Sequence, residues 1–370
     1  MESQKIDTLT SLRFFAAATI VAGHGQHLFE PWSFVHKLSL DHAVSFFFVL
    51  SGFILAFTYD ERLVNNASVR RYYVSRIARI VPTHLLTAVA AMLLVIGAAP
   101  SLSVVVANLL LVQSWIPSIN FFFSVNGPSW SISDEMLFYA LFPLLIWKLP
   151  TTWRLKLGLT SGLAAAIGIA ACAAGVSGST ALWAGYVLPL TRLPEFMLGI
   201  AVYRIFRRVG SNTLDHLSGF TVGLMEAACV ASVVGWTYLS QQLASSISVQ
   251  HHRLEVVSQW LQSGAGAPIA AATIFVFAFQ RGFLSKALQN RVVVYLGEAS
   301  FSLYMVHQIV LHIMLDRIPL SPTRDHFVLW IVYAAVSLAI ASLTHSYFED
   351  PIRRLIAGWH RVKNSSAAQV

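Results

Sequence analysis

An all-α membrane protein with about ten transmembrane helices, both termini cytoplasmic, is the fold class this sequence predicts. Three observations predict it. Of 370 residues, 56% are hydrophobic and 11% charged, with a mean hydropathy of +0.64, whereas soluble domains carry about a quarter charged residues. Apolar stretches of about 20 residues, the length a bilayer demands, recur from one end of the chain to the other. Lysine and arginine are spread unevenly between alternate loops. About ten such stretches and their loops take up most of the chain, so residues 1–370 are expected to form a single transmembrane domain.

The first span is drawn at about 9–29. Lys5 and Arg13 ahead of the apolar run 14–23 imitate a signal peptide, but no A-x-A site follows and His24 interrupts the run, so a retained helix is expected. The second and third spans cover about 42–60 and 77–98. The stretch 101–117 is short and punctuated by Pro100, Asn108, Gln113 and Pro117. It reads as an interfacial or re-entrant piece. A loop ending Asn126-Gly127-Pro128 precedes the fourth span, about 129–148, where Ser129, Ser131 or Ser133 is placed to cap the helix. The remaining spans run at about 157–176, 181–203, 218–240, 264–281, 293–316 and 327–348.

Charge sets the orientation. With the N-terminus in the cytoplasm, twenty of the 25 Lys and Arg residues lie on the cytoplasmic side. Lys37, Arg253, Arg317 and Arg324 lie outside, and Arg192 lies within a span. This is the bias expected of a membrane protein, and an eleventh span at 101–117 would destroy it. The net charge of +8 therefore reflects cytoplasmic loops, with no nucleic-acid partner. Cys172 and Cys229 sit in apolar runs without disulfide or metal-ligand spacing, so both read as packing residues. No P-loop, G-x-S-x-G elbow or H-E-x-x-H motif occurs, and no metal is expected.

Ionisable side chains inside spans are expensive and mark functional sites by default. Arg13 and His24 are eleven residues apart, about 20° past three full helical turns, so they share a face about 16 Å apart along the axis. Gly23 and Gly25 flank the histidine and leave space for a substrate or a neighbouring helix. The plainer alternative is a snorkelling arginine and a hydrogen-bonded core histidine. Arg76 and Arg79 open the third span on one face. Two adjacent guanidinium groups suit a pyrophosphate, although for an R-x-x-R at a helix end ordinary positive-inside charge is the better explanation. Glu135 falls in the first turns of the fourth span, at the outer side, where a carboxylate can orient a histidine or simply favour a helix N-terminus. Arg192 and Glu195, three apart, can pair with each other, and His307 lies mid-span beside Ser302 and Tyr304.

At these residues the chain resembles the acyltransferase-3 family, polytopic O-acyltransferases of bacterial surface glycans. LTSLRFFAAATIVAGH is similar to that family's opening L-x-x-L-R-x10-H helix, SFFFVLSGFIL to its second-helix signature and YYVSRIARIVP to its R-x-x-R segment. GPSWSISDEMLFYALFPLL, RLPEFMLGI, LGEASFSLYMVHQIVL and SYFEDPIRR come after them in the expected order. Many members have Asp just before the F-F-V-L-S-G-F run; Ser45 stands there in this chain, and Asp41 lies four residues earlier.

The resemblance implies transfer of an acyl group, commonly acetyl from acetyl-CoA, to a hydroxyl of a surface polysaccharide or its lipid-linked precursor, in the bacterial inner membrane. It points to His24 as the essential histidine, Arg13 as its motif partner, Arg76 and Arg79 as contacts for the CoA phosphates, and Glu135 as the acidic position of the W-S-x-S-x-E block. His24 would act as general base for the acceptor or carry the acyl group as an acyl-imidazole. Ser45, Arg192, Glu195 and His307 are further candidates. A transporter or flippase for a glycolipid or small metabolite is the competing expectation, since buried charge fits that class too; a structural subunit of a polysaccharide assembly is a weaker one.

Overall fold

A computed structural model describes residues 5–28, 34–97, 100–210, 216–318 and 326–356. Among these residues there is no strand. The architecture is carried by α1 (Asp7–His24), α2 (His42–Tyr59), α3 (Asn66–Leu94), α4 (Leu102–Leu109), α5 (Ser129–Ile146), α6 (Leu149–Ala173), α7 (Pro189–Val209), α8 (Gly219–Gln250), α9 (Glu255–Gln262), α10 (Ala267–Phe277), α11 (Arg291–Glu298), α12 (Ser300–Arg317) and α13 (His326–Thr344). Arg324, Arg361 and Lys363, which enter the charge bias, lie outside the described residues, as do the outer ends of the first and third spans.

Every predicted span contains helix, but three are interrupted. The sixth breaks at Leu188, extended, before Pro189 starts α7, because proline restricts the residue ahead of it to extended backbone. The ninth divides at Ala299 into α11 and α12. In the eighth, residues 264–277 meet α9 at a bend of 45°. Among the described residues five helices are long and apolar enough to cross a membrane: α2, α3, α6, α8 and α13 with its extension to Ile356; the bent pair makes six if counted as one span. The helices α1, α5, α7 and α12 are outside that set, and each carries ionisable residues described below.

In the core α2 crosses α7 at backbone contact. A Cβ on Gly52 would strike the Phe196 carbonyl oxygen, and one on Gly199 the Val49 carbonyl oxygen, so the glycines let the two backbones touch. Around them Phe48 meets Phe138 edge-on at 5.1 Å, and Phe138 stacks on Phe196 at 5.1 Å. A smaller apolar cluster joins α1, α12 and α13 through Val21, Leu303, Val306 and Tyr333. Gly25 faces Tyr333; its space is filled by a neighbouring helix. Both cysteines are free thiols at the edges of packed clusters.

Segment 101–117 does not form a long helix. The eight residues of α4 rise only about 12 Å. Residues 110–124 then fold back over the start of α5: Gln113 Nε2 donates to the Ser129 carbonyl and Asn108 Nδ2 to the Ser124 carbonyl, each at 3.0 Å. None of the predicted serines caps α5. Pro128 occupies the cap position, and the hydroxyls turn to other helices and loops, Ser133 to the Leu111 carbonyl at 2.6 Å.

Candidate functional site

Two cavities lie at opposite ends of α1. The first, about 490 Å³, surrounds its N-terminal half and collects Arg13 from α1, Arg76 and Arg79 from α3, and Glu135 and Tyr139 from α5. The Arg76 guanidinium lies over the rings of Tyr59 and Tyr139, 5.7 and 5.8 Å from their centroids, so aromatic faces brace the cation. Tyr139 donates its hydroxyl to Glu135 at 3.0 Å. The Glu135 carboxylate also feels the charges of Arg79, Arg13 and Arg76.

Sequence spacing placed Arg76 and Arg79 at the opening of a helix. An Asn65–Ser68 capping box starts α3 at Asn66 instead, which sets the two arginines about 15–20 Å along the helix axis. Glu135 is also displaced from expectation: it belongs to the arginine cavity, whereas His24 lines the other.

The second cavity, about 830 Å³, opens at the C-terminal ends of α1 and α3. His24 and Gly23 form one wall; Asn126, Gln241, Gln262 and Gln308 contribute amides, and Trp130 and Tyr186 an aromatic corner with centroids 4.5 Å apart. Tyr186 donates to Asp41 at 3.2 Å. Asp41 is the residue ahead of α2, without a capping bond from its carboxyl, and lines the cavity. Seclusion from bulk water pushes that carboxyl above its ordinary range, opposed by the Tyr186 hydrogen bond and the charge of Arg192. His24 Nδ1 lies 2.8 Å from His307 Nε2, with the ring centroids 5.0 Å apart and the ring planes inclined by 23°.

The wall between the cavities is one layer of side chains. On α12, Tyr304 faces the arginine cavity and Gln308, one turn further, the histidine cavity; at the start of α5, Ser131 and Trp130 divide the same way. Tyr304 donates to the Pro128 carbonyl at 3.0 Å and lies 2.8 Å from the Ser131 hydroxyl.

Ser45, Arg192 and Glu195 line neither cavity. Arg192 is 1% exposed, pairs with Glu195 at 2.9 Å, donates to Ser45 at 3.0 Å and lies over the Phe48 and Tyr186 rings. These contacts tie α2 to α7 behind the histidine cavity.

Sequence reasoning missed Glu349, Arg353 and Arg354, which line the arginine cavity, and Tyr186 in the other. Their signal was present: Glu349 and the arginines belong to SYFEDPIRR. Glu349 and Tyr186 both sit in π-helical turns, His345–Glu349 and Trp183–Val187, a deformation frequent at functional sites. Ser302 donates to Glu349 at 2.6 Å.

Comparison with known proteins bears on the class of chemistry. The family model described as an acyltransferase domain matches residues 6–345. Acyltransferase MdmB of Streptomyces mycarofaciens is 31% identical over 392 aligned residues, covering 95% of this chain and 92% of its own. The exopolysaccharide production protein ExoZ of Rhizobium meliloti (strain 1021) is 33% identical over 164 residues, 43% of this chain and 49% of its own. No solved structure matches.

Proposed function

The chain belongs to the acyltransferase-3 family, and from that premise we propose that it moves an acyl group, acetyl in the first instance, from cytoplasmic acyl-CoA to a hydroxyl of a surface polysaccharide or its lipid-linked precursor. The observation that carries this reading is the pairing of an arginine-lined cavity with a histidine-lined one along a single helix, one side-chain layer apart. The reading takes residues 1–370 as one unit with ten spans in the bacterial inner membrane and both termini cytoplasmic. The arginine cavity then opens inward, towards the compartment that holds acyl-CoA.

Arg76 and Arg79, with Arg13 behind them, take the CoA phosphates by charge-assisted hydrogen bonds. The pantetheine arm passes beside Tyr304 and brings the thioester to His24. The acceptor occupies the larger cavity, where the amides of Asn126, Gln241 and Gln308 can both donate to and accept from hydroxyls. His24 removes the proton as the acceptor oxygen attacks the thioester carbonyl. The carbon–sulfur bond breaks, and the CoA thiolate leaves with that proton. In the covalent variant the imidazole is acylated first and the acceptor second. Glu135 holds the arginine cluster in place.

Calorimetric titration of acetyl-CoA into purified protein tests the donor site without any knowledge of the acceptor. Charge-assisted hydrogen bonds contribute about 1.5–3 kcal/mol each, so Arg76→Ala/Arg79→Ala should weaken binding by about two orders of magnitude or more. Absence of binding by folded wild type would move the assignment to a transporter or flippase.

A further inference from the structure

We propose that His307 is a positioning residue that fixes the tautomer and ring orientation of His24. The proposal rests on the reading of His24 as base or acyl carrier.

The hydrogen-bond chain starts at a carbonyl. His307 is fully buried on α12, and its Nδ1 lies 3.2 Å from the Leu303 carbonyl oxygen one turn back. A carbonyl only accepts, so the proton of that bond sits on His307 Nδ1. A neutral imidazole protonated there carries its lone pair on Nε2. That nitrogen is the one 2.8 Å from His24 Nδ1. His24 must therefore donate through Nδ1, which places its own lone pair on Nε2. The heavy atoms alone dictate this direction: carbonyl, His307, His24, each donor feeding the next acceptor back towards the backbone.

The arrangement performs the task of the carboxylate in a Ser-His-Asp triad, which holds the imidazole in one tautomer and orientation, with a neutral ring in its place. When His24 takes a proton on Nε2 it becomes a cation, and its bond to His307 becomes charge-assisted and stronger. His307 lies beside the tilted ring of Tyr304 at 5.9 Å, on the helix whose Leu303, Val306 and Val310 join the apolar cluster with α1 and α13. It can thus hold His24 without moving. Tyr304 also stands in the wall between the cavities, so the orientation of His24 is referred to the boundary that the acyl group must cross.

The test uses the whole protein in lipid nanodiscs with histidine labelled by ¹⁵N in the ring, and His24→Ala to assign the His24 signals. Wild-type His24 is expected to carry its proton on Nδ1. His307→Phe keeps ring volume and removes the acceptor; His307→Gln keeps an acceptor carbonyl. In His307→Phe the two His24 tautomers should mix. Carbethoxylation of His24 by diethyl pyrocarbonate, read by mass spectrometry, should slow by about twofold, because only about half of the His24 rings then carry their lone pair on Nε2. His307→Gln should recover most of that loss. Wild-type His24 protonated on Nε2, or an unchanged rate in a His307→Phe protein with wild-type melting temperature, would overturn the proposal. If His307→Phe does not fold, the wild-type tautomer and the His307→Gln rate decide. Loss of acetyl-CoA binding alone, with tautomer and reactivity as expected, would sink acyl transfer and leave the histidine pair standing.

Discussion

The arginine cavity and the histidine cavity share one helix and one wall, yet they are built from opposite materials. At the first, Arg13, Arg76 and Arg79 gather with Glu135, and tyrosine faces brace Arg76. At the second, amides, imidazoles and an aromatic corner surround a larger space. Charge is costly to hold in a membrane; the chain gathers arginines at one end and, apart from the Asp41 carboxyl, neutral polar groups at the other, a contrast suited to two ligands of different chemistry. A polyanion suits the first and a hydroxylated molecule the second. On the proposed reading the chemistry belongs at their boundary, with His24 lining the second cavity and Tyr304 standing in the wall.

The largest expected effect separates the two. His24→Ala should lower turnover about 10²–10⁴-fold, the contribution of a positioned base, while the acetyl-CoA dissociation constant stays within about threefold, since the donor phosphates bind elsewhere. Thiol release and calorimetry on the same preparation measure both. If donor affinity collapsed together with turnover, the division into two sites would be wrong.

Next in size is a stability effect that should touch both cavities without belonging to either. Arg192→Met leaves Glu195 buried and unpaired, which costs about 3–5 kcal/mol. Arg192→Met/Glu195→Met should recover most of that, because the pair then leaves no orphan charge. Thermal unfolding followed by light scattering compares the two. Acetyl-CoA affinity, measured well below the melting temperature, should be unchanged in the double variant; a large change would mean that Arg192 serves the donor after all.

The sequence carried much of this arrangement. Apolar stretches placed helix in every predicted span, although among the described residues five helices, or six with the bent pair, are long and apolar enough to cross a membrane. The R-x10-H spacing falls on one continuous helix, α1. It did not reveal that the two ends of that helix open into different cavities, because spacing along a helix says nothing about what packs between. The same limit explains Glu135: its local position near the start of α5 was legible, but its companions come from α1 and α3. His24 and His307 are 283 residues apart, and no local pattern links them. The pairing of Arg192 with Glu195, one turn apart, was legible because it is local. The serine caps failed because Pro128 already occupied the cap, which freed Ser131 and Ser133 to bond across to other segments.

The smallest effect sharpens the comparison most. Arg353 and Arg354 line the arginine cavity, are exposed over 43% and 77% of their side chains, and both pair with Asp350. Exposed ion pairs contribute little and are screened by salt, with a Debye length of about 8 Å at physiological ionic strength. As outer contacts for a polyanionic donor they should add about two- to threefold to affinity in dilute buffer and nothing in about 1 M salt, where the screening length falls to about 3 Å. Acetyl-CoA binding by Arg353→Gln/Arg354→Gln across a salt series should therefore converge on wild type as salt rises. Acceptor affinity, governed by amides and hydroxyls, should stay flat across the same series. A salt-dependent acceptor and a salt-independent donor would reverse the assignment of the two cavities, since charge screening acts on the ligand that charge holds.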